Sequence, residues 1–164
     1  MYSTPLAAVR RCILIVDDDQ RARQQLQTLL AANGFAVVEA GNGRIARRIL
    51  AECAIDLVIT DIFMPECDGF ELIAAIRTMD LPVPVIAMSD YESWTGLNFL
   101  DAANDLGAAA VIGKPFQAIS LLRLIVEALA AVRRESRVVP IGARAEPERA
   151  CVPPGVEWLG GKRI

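Results

Sequence analysis

Histidine is missing from all 164 residues. That absence removes the Ser-His-Asp triad, the Cys-His nucleophile pair, His-ligated zinc and any phosphohistidine on this chain. Chemistry must rest on carboxylates, lysine, hydroxyls or thiols. Paired cysteines are missing too: Cys12, Cys53, Cys67 and Cys151 are scattered with no C-x-x-C pair. This argues against a disulfide framework or a thiolate metal cluster and points to a reducing, cytoplasmic setting. There is no basic excess, since 17 Lys and Arg face 20 Asp and Glu for a net charge of −3, whereas polyanion binders carry a positive surplus. No stretch of about 18 uninterrupted apolar residues is available to span a membrane. The opening MYSTPLAAVRR has no signal-peptide core, because its apolar stretch is short and broken by Pro5.

What the chain does have is apolar mass. Apolar residues make up 54% and mean hydropathy is +0.37, an excess that requires burial on both faces of a sheet or in a partner interface. Five short runs carry it: Cys12–Val16, Phe35–Ala40, Asp56–Thr60, Val83–Met88 and Ala109–Ile112. They are continuous rather than alternating, the pattern of parallel strands covered on both faces. Helical segments are expected at about Gln20–Asn33, Arg44–Glu52, Phe70–Met79, Gly96–Leu106 and Gln117–Glu135. Gly34 follows the first, where a left-handed cap is wanted, and Gly107 closes the fourth. Five β-α units in succession predict an α/β fold with a parallel sheet, right-handed crossovers and helices on both faces. From 136 the composition changes. Val138–Ile164 holds four of the nine prolines and four of the eleven glycines, and a disordered tail too short for a helix-turn-helix output domain is expected over 136–164.

Ligands of such sheets bind at the carboxyl ends of the strands, and that is where the reactive side chains fall. The first run leads into Asp17, Asp18 and Asp19, and the third into Asp61. The fourth leads into Ser89 and the fifth into Lys114. Clustered carboxylates repel one another and call for a cation; hard oxygen ligands on few side chains favour Mg²⁺. Carboxylates, a hydroxyl and a lysine on one rim suit phosphoryl transfer with a carboxylate nucleophile. Each residue alone has a plainer reading: Asp17–Asp19 as a helix cap, Asp61 as a turn residue before Pro65, Ser89 as a surface hydroxyl, Lys114 as a solvated lysine. Their recurrence at successive strand ends is what the plainer readings do not explain.

The motifs ILIVDDDQRAR, DLVITDIFMPECDGFEL, PVIAMS and GKPF resemble the receiver domain of bacterial two-component response regulators. The resemblance covers about residues 10–135. It implies a flavodoxin-like (βα)5 doubly wound sheet of order 2-1-3-4-5 in a single domain. It implies Asp61 as phospho-acceptor. Mg²⁺ would be held by Asp18 directly, Asp17 through the water shell, Asp61, and the backbone carbonyl of Phe63. Ser89 would hydrogen-bond the phosphoryl group, Lys114 would pair with its oxygens, and Lys114–Pro115 would be cis. The implied donor is a phosphohistidine on a sensor histidine kinase or histidine phosphotransfer protein, consistent with the missing histidine.

The chain departs from the family pattern in several places. Asp90 follows Ser89 where the family usually has alanine or glycine; it either stands at the mouth of the site or points outward and caps the fourth helix. Val111 replaces the usual aromatic switch residue. The loop after Ser89 is long and carries Trp94 around Tyr91–Leu97, as a partner anchor or folded back. Phe63 and Tyr91, each two positions past a site residue, are expected to slow loss of the phosphoryl group. The fifth helix is apolar nearly all round apart from Ser120, Arg123, Glu127 and Arg134. A homodimer through the fourth helix, fifth strand and fifth helix is expected, with the tail as the alternative cover. Arg133, Arg134 and Arg137 read as a solvated helix end rather than a nucleic-acid contact.

The expectation is therefore a stand-alone receiver that signals to an unidentified protein target and catalyses only its own phosphorylation and dephosphorylation. Two rivals stand beside it. One is a phosphorylation-independent interaction module, motivated by Asp90, Val111 and the long loop. The other is an aspartyl-phosphate phosphohydrolase using the D-x-D spacing of Asp17 and Asp19.

Overall fold

The computed structural model describes residues 10–65, 68–79, 83–90 and 99–135, with side chains over 102–132 of the last stretch. The expectations for the opening segment, for Tyr91, Trp94 and their loop, for the side chains of Arg133, Arg134 and Arg137, and for the 136–164 tail lie outside these residues.

Strands and helices alternate: β1 (Cys12–Val16), α1 (Gln20–Ala32), β2 (Ala36–Ala40), α2 (Gly43–Glu52), β3 (Leu57–Asp61), α3 (Gly69–Thr78), β4 (Val85–Asp90), α4 (Phe99–Asp105), β5 (Ala110–Lys114) and α5 (Ala118–Glu135). All four strand pairings are parallel, in one sheet of order β2-β1-β3-β4-β5. The first helices start where side chains supply the missing acceptors. Asp19 caps α1 by accepting from the Arg21 N–H at 2.8 Å. Asn42 accepts from Ile45 N–H at 2.9 Å for α2, and Asp68 from Glu71 N–H at 2.8 Å for α3. Gly34 (φ +86°) and Gly107 (φ +93°) turn the chain after α1 and α4 as the sequence predicts.

The strand period of two splits the core cleanly. Ile13, Ile15, Leu57, Ile59, Ile86 and Met88 face Leu26 and Leu30 of α1 and Leu121 and Ile125 of α5. Leu14, Val16, Val58, Val85 and Ala87 face Ile49 of α2, Leu72, Ile73 and Ile76 of α3, and Ala103 of α4. Each such Leu or Ile contributes about 1.5–3 kcal/mol by burial, and both sheet faces are covered, which accounts for the high hydropathy. Val111 packs into the second of these clusters. Most of the apolar surface of α5 is likewise absorbed: Leu121, Ile125 and Ala128 are buried and Leu122, Leu124 and Leu129 pack against the core, while Ile119 and Val126 stand out at 69% and 61% exposure.

The last three strands run past their apolar runs, to Asp61, Asp90 and Lys114, so ladder pairing reaches into the polar rim. One expectation needs correction. Cys53, at the C-cap of α2, is disulfide-bonded; spacing along the chain excluded a C-x-x-C pair but carries no information about which distant thiols meet. Cys12 is free, and burial, with the nearby Asp56 charge, pushes its thiol up to about 11.

Gly69 fixes how α3 meets the end of β3. Its N–H donates to the Ile62 carbonyl at 2.8 Å. A Cβ placed there would lie 2.8 Å from the Ile62 Cα and against the Asp61 carbonyl oxygen, all of it backbone. Gly69→Ala should therefore cost about 2 kcal/mol or more and lower Tm by roughly 5–10 °C. An unchanged melting curve would contradict this packing.

Candidate functional site

The same alternation that splits the core builds the site. Asp17, Asp61, Asp90 and Lys114 each stand two positions past a residue of the α1/α5-side core, namely Ile15, Ile59, Met88 and Ile112. All four line one cleft of about 640 Å³ at the carboxyl edge of the sheet, together with Asp18, Asp19, Phe63, Phe116, Ala22, Gln25, Leu26 and Leu29 of α1, and Ala118 at the start of α5. The Lys114–Pro115 bond is cis, as the resemblance implied.

Asp17 and Asp61 are buried, at 1% and 5% exposure, and Asp18 is exposed. One carboxylate oxygen from each lies within 4.8 Å of the others. Lys114 Nζ donates to Asp17 Oδ2 at 2.9 Å and lies 3.5 Å from Asp61 Oδ2. The remaining oxygens are held by backbone: Asp19 N–H donates to Asp17 Oδ1 at 2.9 Å, and Ile62 N–H to Asp61 Oδ1 at 2.9 Å. Burial raises the Asp61 carboxyl to about 6; Asp17 and Asp90 push the same way, and Lys114 and the Ile62 N–H oppose them. Desolvation alone would lower Lys114, but the hydrogen bond to Asp17 and the charges of Asp61, Asp17 and Asp90 outweigh it and raise its pKa.

Arg23 was not singled out from the sequence. It holds the acidic loop from outside: Nη1 donates to the carbonyls of Asp17 (2.7 Å) and Asp18 (3.2 Å), and Nε to Glu39 on β2 (3.3 Å). Turning those carbonyls outward turns the following N–H groups toward the cleft, which is how Asp19 N–H meets Asp17. Its signal, an arginine one turn into the helix after three aspartates, is indistinguishable from a solvated helix charge until the backbone is known.

Ser89 is placed differently from the other site residues. It is buried at 1% exposure at the same rim, yet its side chain is not among those lining the cleft, and its Oγ has no hydrogen-bond partner. A buried hydroxyl without a partner costs about 1–3 kcal/mol. Asp90, one residue on and therefore on the other side of the strand, takes the cleft position. Of its two predicted orientations, the carboxylate at the mouth is the one observed. Phe63 lies on the rim, 41% exposed.

Three carboxylates with one lysine leave a surplus of negative charge that a divalent cation would offset. All-oxygen donors with room for water suit Mg²⁺, and the three carboxylates already bring an oxygen each to within 4.8 Å of one another. The residues present fit such an ion, with Asp17, Asp18 and Asp61 as the side chains to hold it.

Comparison with known proteins agrees with this geometry. The family model described as "Response regulator receiver domain" matches residues 13–126. The chain is 38% identical over 123 residues to the Regulatory protein AtoC of Escherichia coli, covering 74% of this chain and 25% of that protein. It is 35% identical over 124 residues to the Transcriptional regulatory protein GltR of Pseudomonas aeruginosa, covering 73% and 49%. The chain thus spans between a quarter and half of these relatives. Among solved structures, a response regulator receiver domain protein from Clostridium thermocellum matches with TM-score 0.69 and 27% identity, over 79% of this chain and 99% of that one. Full-length FixJ from B. japonicum matches with TM-score 0.71 and 25% identity, over 79% and 63%.

The raised Asp61 carboxyl has a direct consequence for stability. A folded-state pKa near 6 against 3.8 for the free group means the ionised form opposes folding, fully above pH 6 and not at all below about pH 4. In chelator, Asp61→Asn should melt a few degrees above wild type at pH 7.5, and the gap should close as pH falls through 6 toward 4. An asparagine variant no more stable at pH 7.5 would contradict the assignment.

Proposed function

The chain belongs to the response regulator receiver domain family, and from that premise we propose that it accepts a phosphoryl group on Asp61 from a partner's phosphohistidine, with Mg²⁺, and passes the signal on through protein contacts. Receivers of this family bind Mg²⁺ at an acidic pocket. Bound between Asp17, Asp18, Asp61 and the Phe63 carbonyl, the ion would supply charge neutralisation for the phosphoryl oxygens. The rest falls to the chain's own residues. An Asp61 carboxylate oxygen attacks phosphorus as the P–N bond breaks, and the electron pair leaves with the imidazole nitrogen of the donor, as neutral imidazole when its other nitrogen is protonated. Lys114, 3.5 Å from Asp61 Oδ2, gives up its contact with Asp17 to meet the phosphoryl oxygens. Ser89 Oγ, buried at the rim outside the cleft lining and without a partner, turns toward the phosphoryl group to donate to it. The single observation carrying the proposal is a buried carboxylate beside a lysine, with two further carboxylates within 4.8 Å.

The donor is a sensor histidine kinase or a histidine phosphotransfer protein, because this chain has no histidine of its own. The apolar wall of the cleft, Ala22 and Leu29 of α1 with Phe116, gives a protein donor a surface to rest on. The downstream target is a protein. A homodimer through α4, β5 and α5 rests on Ile119 and Val126, the large apolar side chains exposed on α5. No helix of the described residues is long and apolar enough to cross a membrane, in keeping with a cytoplasmic role. The phosphohydrolase reading loses support: the Asp19 it needs as acid/base caps α1 through Oδ1.

Intact mass after prolonged incubation with acetyl phosphate and Mg²⁺ tests the proposal. Wild type should gain one phosphoryl group and Asp61→Asn none. An unmodified wild type, or an equal gain in both proteins, would contradict it.

A further inference from the structure

The carboxylate of Asp90 is unaccounted for by the transfer itself. It sits at the carboxyl end of β4, in register with Lys114 on β5. The alternation that directs Asp61 and Lys114 into the cleft directs Asp90 there too, and all three line it. Ser89, the neighbour that could have offered a neutral hydroxyl to the mouth, faces the other side of the strand. With one divalent cation, Asp17, Asp18, Asp61 and Lys114 would be formally neutral; Asp19 and Asp90 leave the lining two charges negative, and of these Asp19 is held at the N-terminus of α1 as its cap.

We infer that Asp90 is a specificity residue that sets which phosphodonor can reach Asp61: it disfavours small free dianions and favours a phosphohistidine protein whose docking face brings positive charge to the mouth. The inference rests on Asp61 being the acceptor. Its physical basis is Coulombic. A free acyl phosphate must carry about two negative charges past a fixed third one, and nothing on the small molecule offsets it. A docked protein can place a lysine or arginine beside Asp90 and turn the same carboxylate into an attraction. With acetyl phosphate the step is the formation of an Asp61 O–P bond and the breaking of the bond between phosphorus and the acyl oxygen. Acetate leaves with the electron pair, and no proton changes hands. Asp90 touches none of those bonds; it acts on the approach.

The test measures phosphorylation rates of the whole chain at saturating Mg²⁺, followed by intact mass, for wild type, Asp90→Asn and Asp90→Ala. The Mg²⁺ affinity and melting temperature of each are determined separately. Asn removes the charge and keeps the volume; Ala removes both. With acetyl phosphate both variants should react about tenfold faster than wild type, the order expected when one unit charge stops acting on a dianion across a few ångströms of largely aqueous dielectric. Raising the ionic strength should shrink the gain. With phosphoramidate, whose protonated amino group halves the net charge, the gain should fall to about threefold. Unchanged rates in both variants would overturn the inference, and so would acceleration in Asp90→Ala alone, which would assign the effect to bulk. If folded wild type and both variants all stay unphosphorylated, Asp61 is not an acceptor and the inference falls with that reading. Rates that differ among phosphorylated proteins bear on Asp90 alone.

Discussion

Everything at the carboxyl edge of this sheet depends on one lysine holding together two carboxylates that water would otherwise keep apart. Asp17 and Asp61 are buried side by side, and Lys114 Nζ reaches both, at 2.9 and 3.5 Å. Without it, two ionised groups would share a site of low polarizability, which carboxylates avoid by taking up a proton. Even with it the balance is incomplete: Asp61 stays raised and Ser89 Oγ stays unpartnered. A fold tolerates such costs where a ligand repays them. The surrounding structure is arranged to keep the site from relaxing. Arg23 and Glu39 brace the loop of Asp17 and Asp18 from behind, and Gly69 lets α3 close against the backbone of Asp61 and Ile62.

The architecture follows from how apolar residues are distributed. Continuous runs located all five strands because both sheet faces are buried, so nearly every strand position is apolar. Strand order could not come from those runs; it came from the resemblance, and the pairing β2-β1-β3-β4-β5 confirms it. The last three strands outrun their apolar runs, to Asp61, Asp90 and Lys114, since hydrogen bonding extends into the polar rim where hydrophobicity has already stopped. The apolar face of α5 looked too large for one domain, yet Leu122, Leu124 and Leu129 turn out to pack at the margins of the core.

The chemistry of the site was readable as a set of residue types, and less so as an arrangement. Asp17, Asp18, Asp61 and Lys114 converge as their strand-end positions suggested. Ser89 is buried at the rim while Asp90 lines the cleft, because which of two adjacent residues faces inward is set by strand register, counted from Met88. Arg23 and Gly69 went unassigned because their work is done on backbone atoms, and a sequence does not show which carbonyls are turned outward or which helix end abuts a strand. The pairing of Cys53 was hidden for a similar reason: proximity in space leaves no trace in spacing along the chain.

The measurement closest to the centre of this account is fluorine NMR of the protein with beryllofluoride, an analogue of the phosphoryl group that needs no donor. The account predicts bound fluoride resonances that appear only with Mg²⁺, are lost in Asp61→Asn and weaken in Lys114→Ala, with Asp90→Asn leaving them in place. Resonances that persist without Asp61 or without Mg²⁺, or no bound signal in wild type, would contradict it.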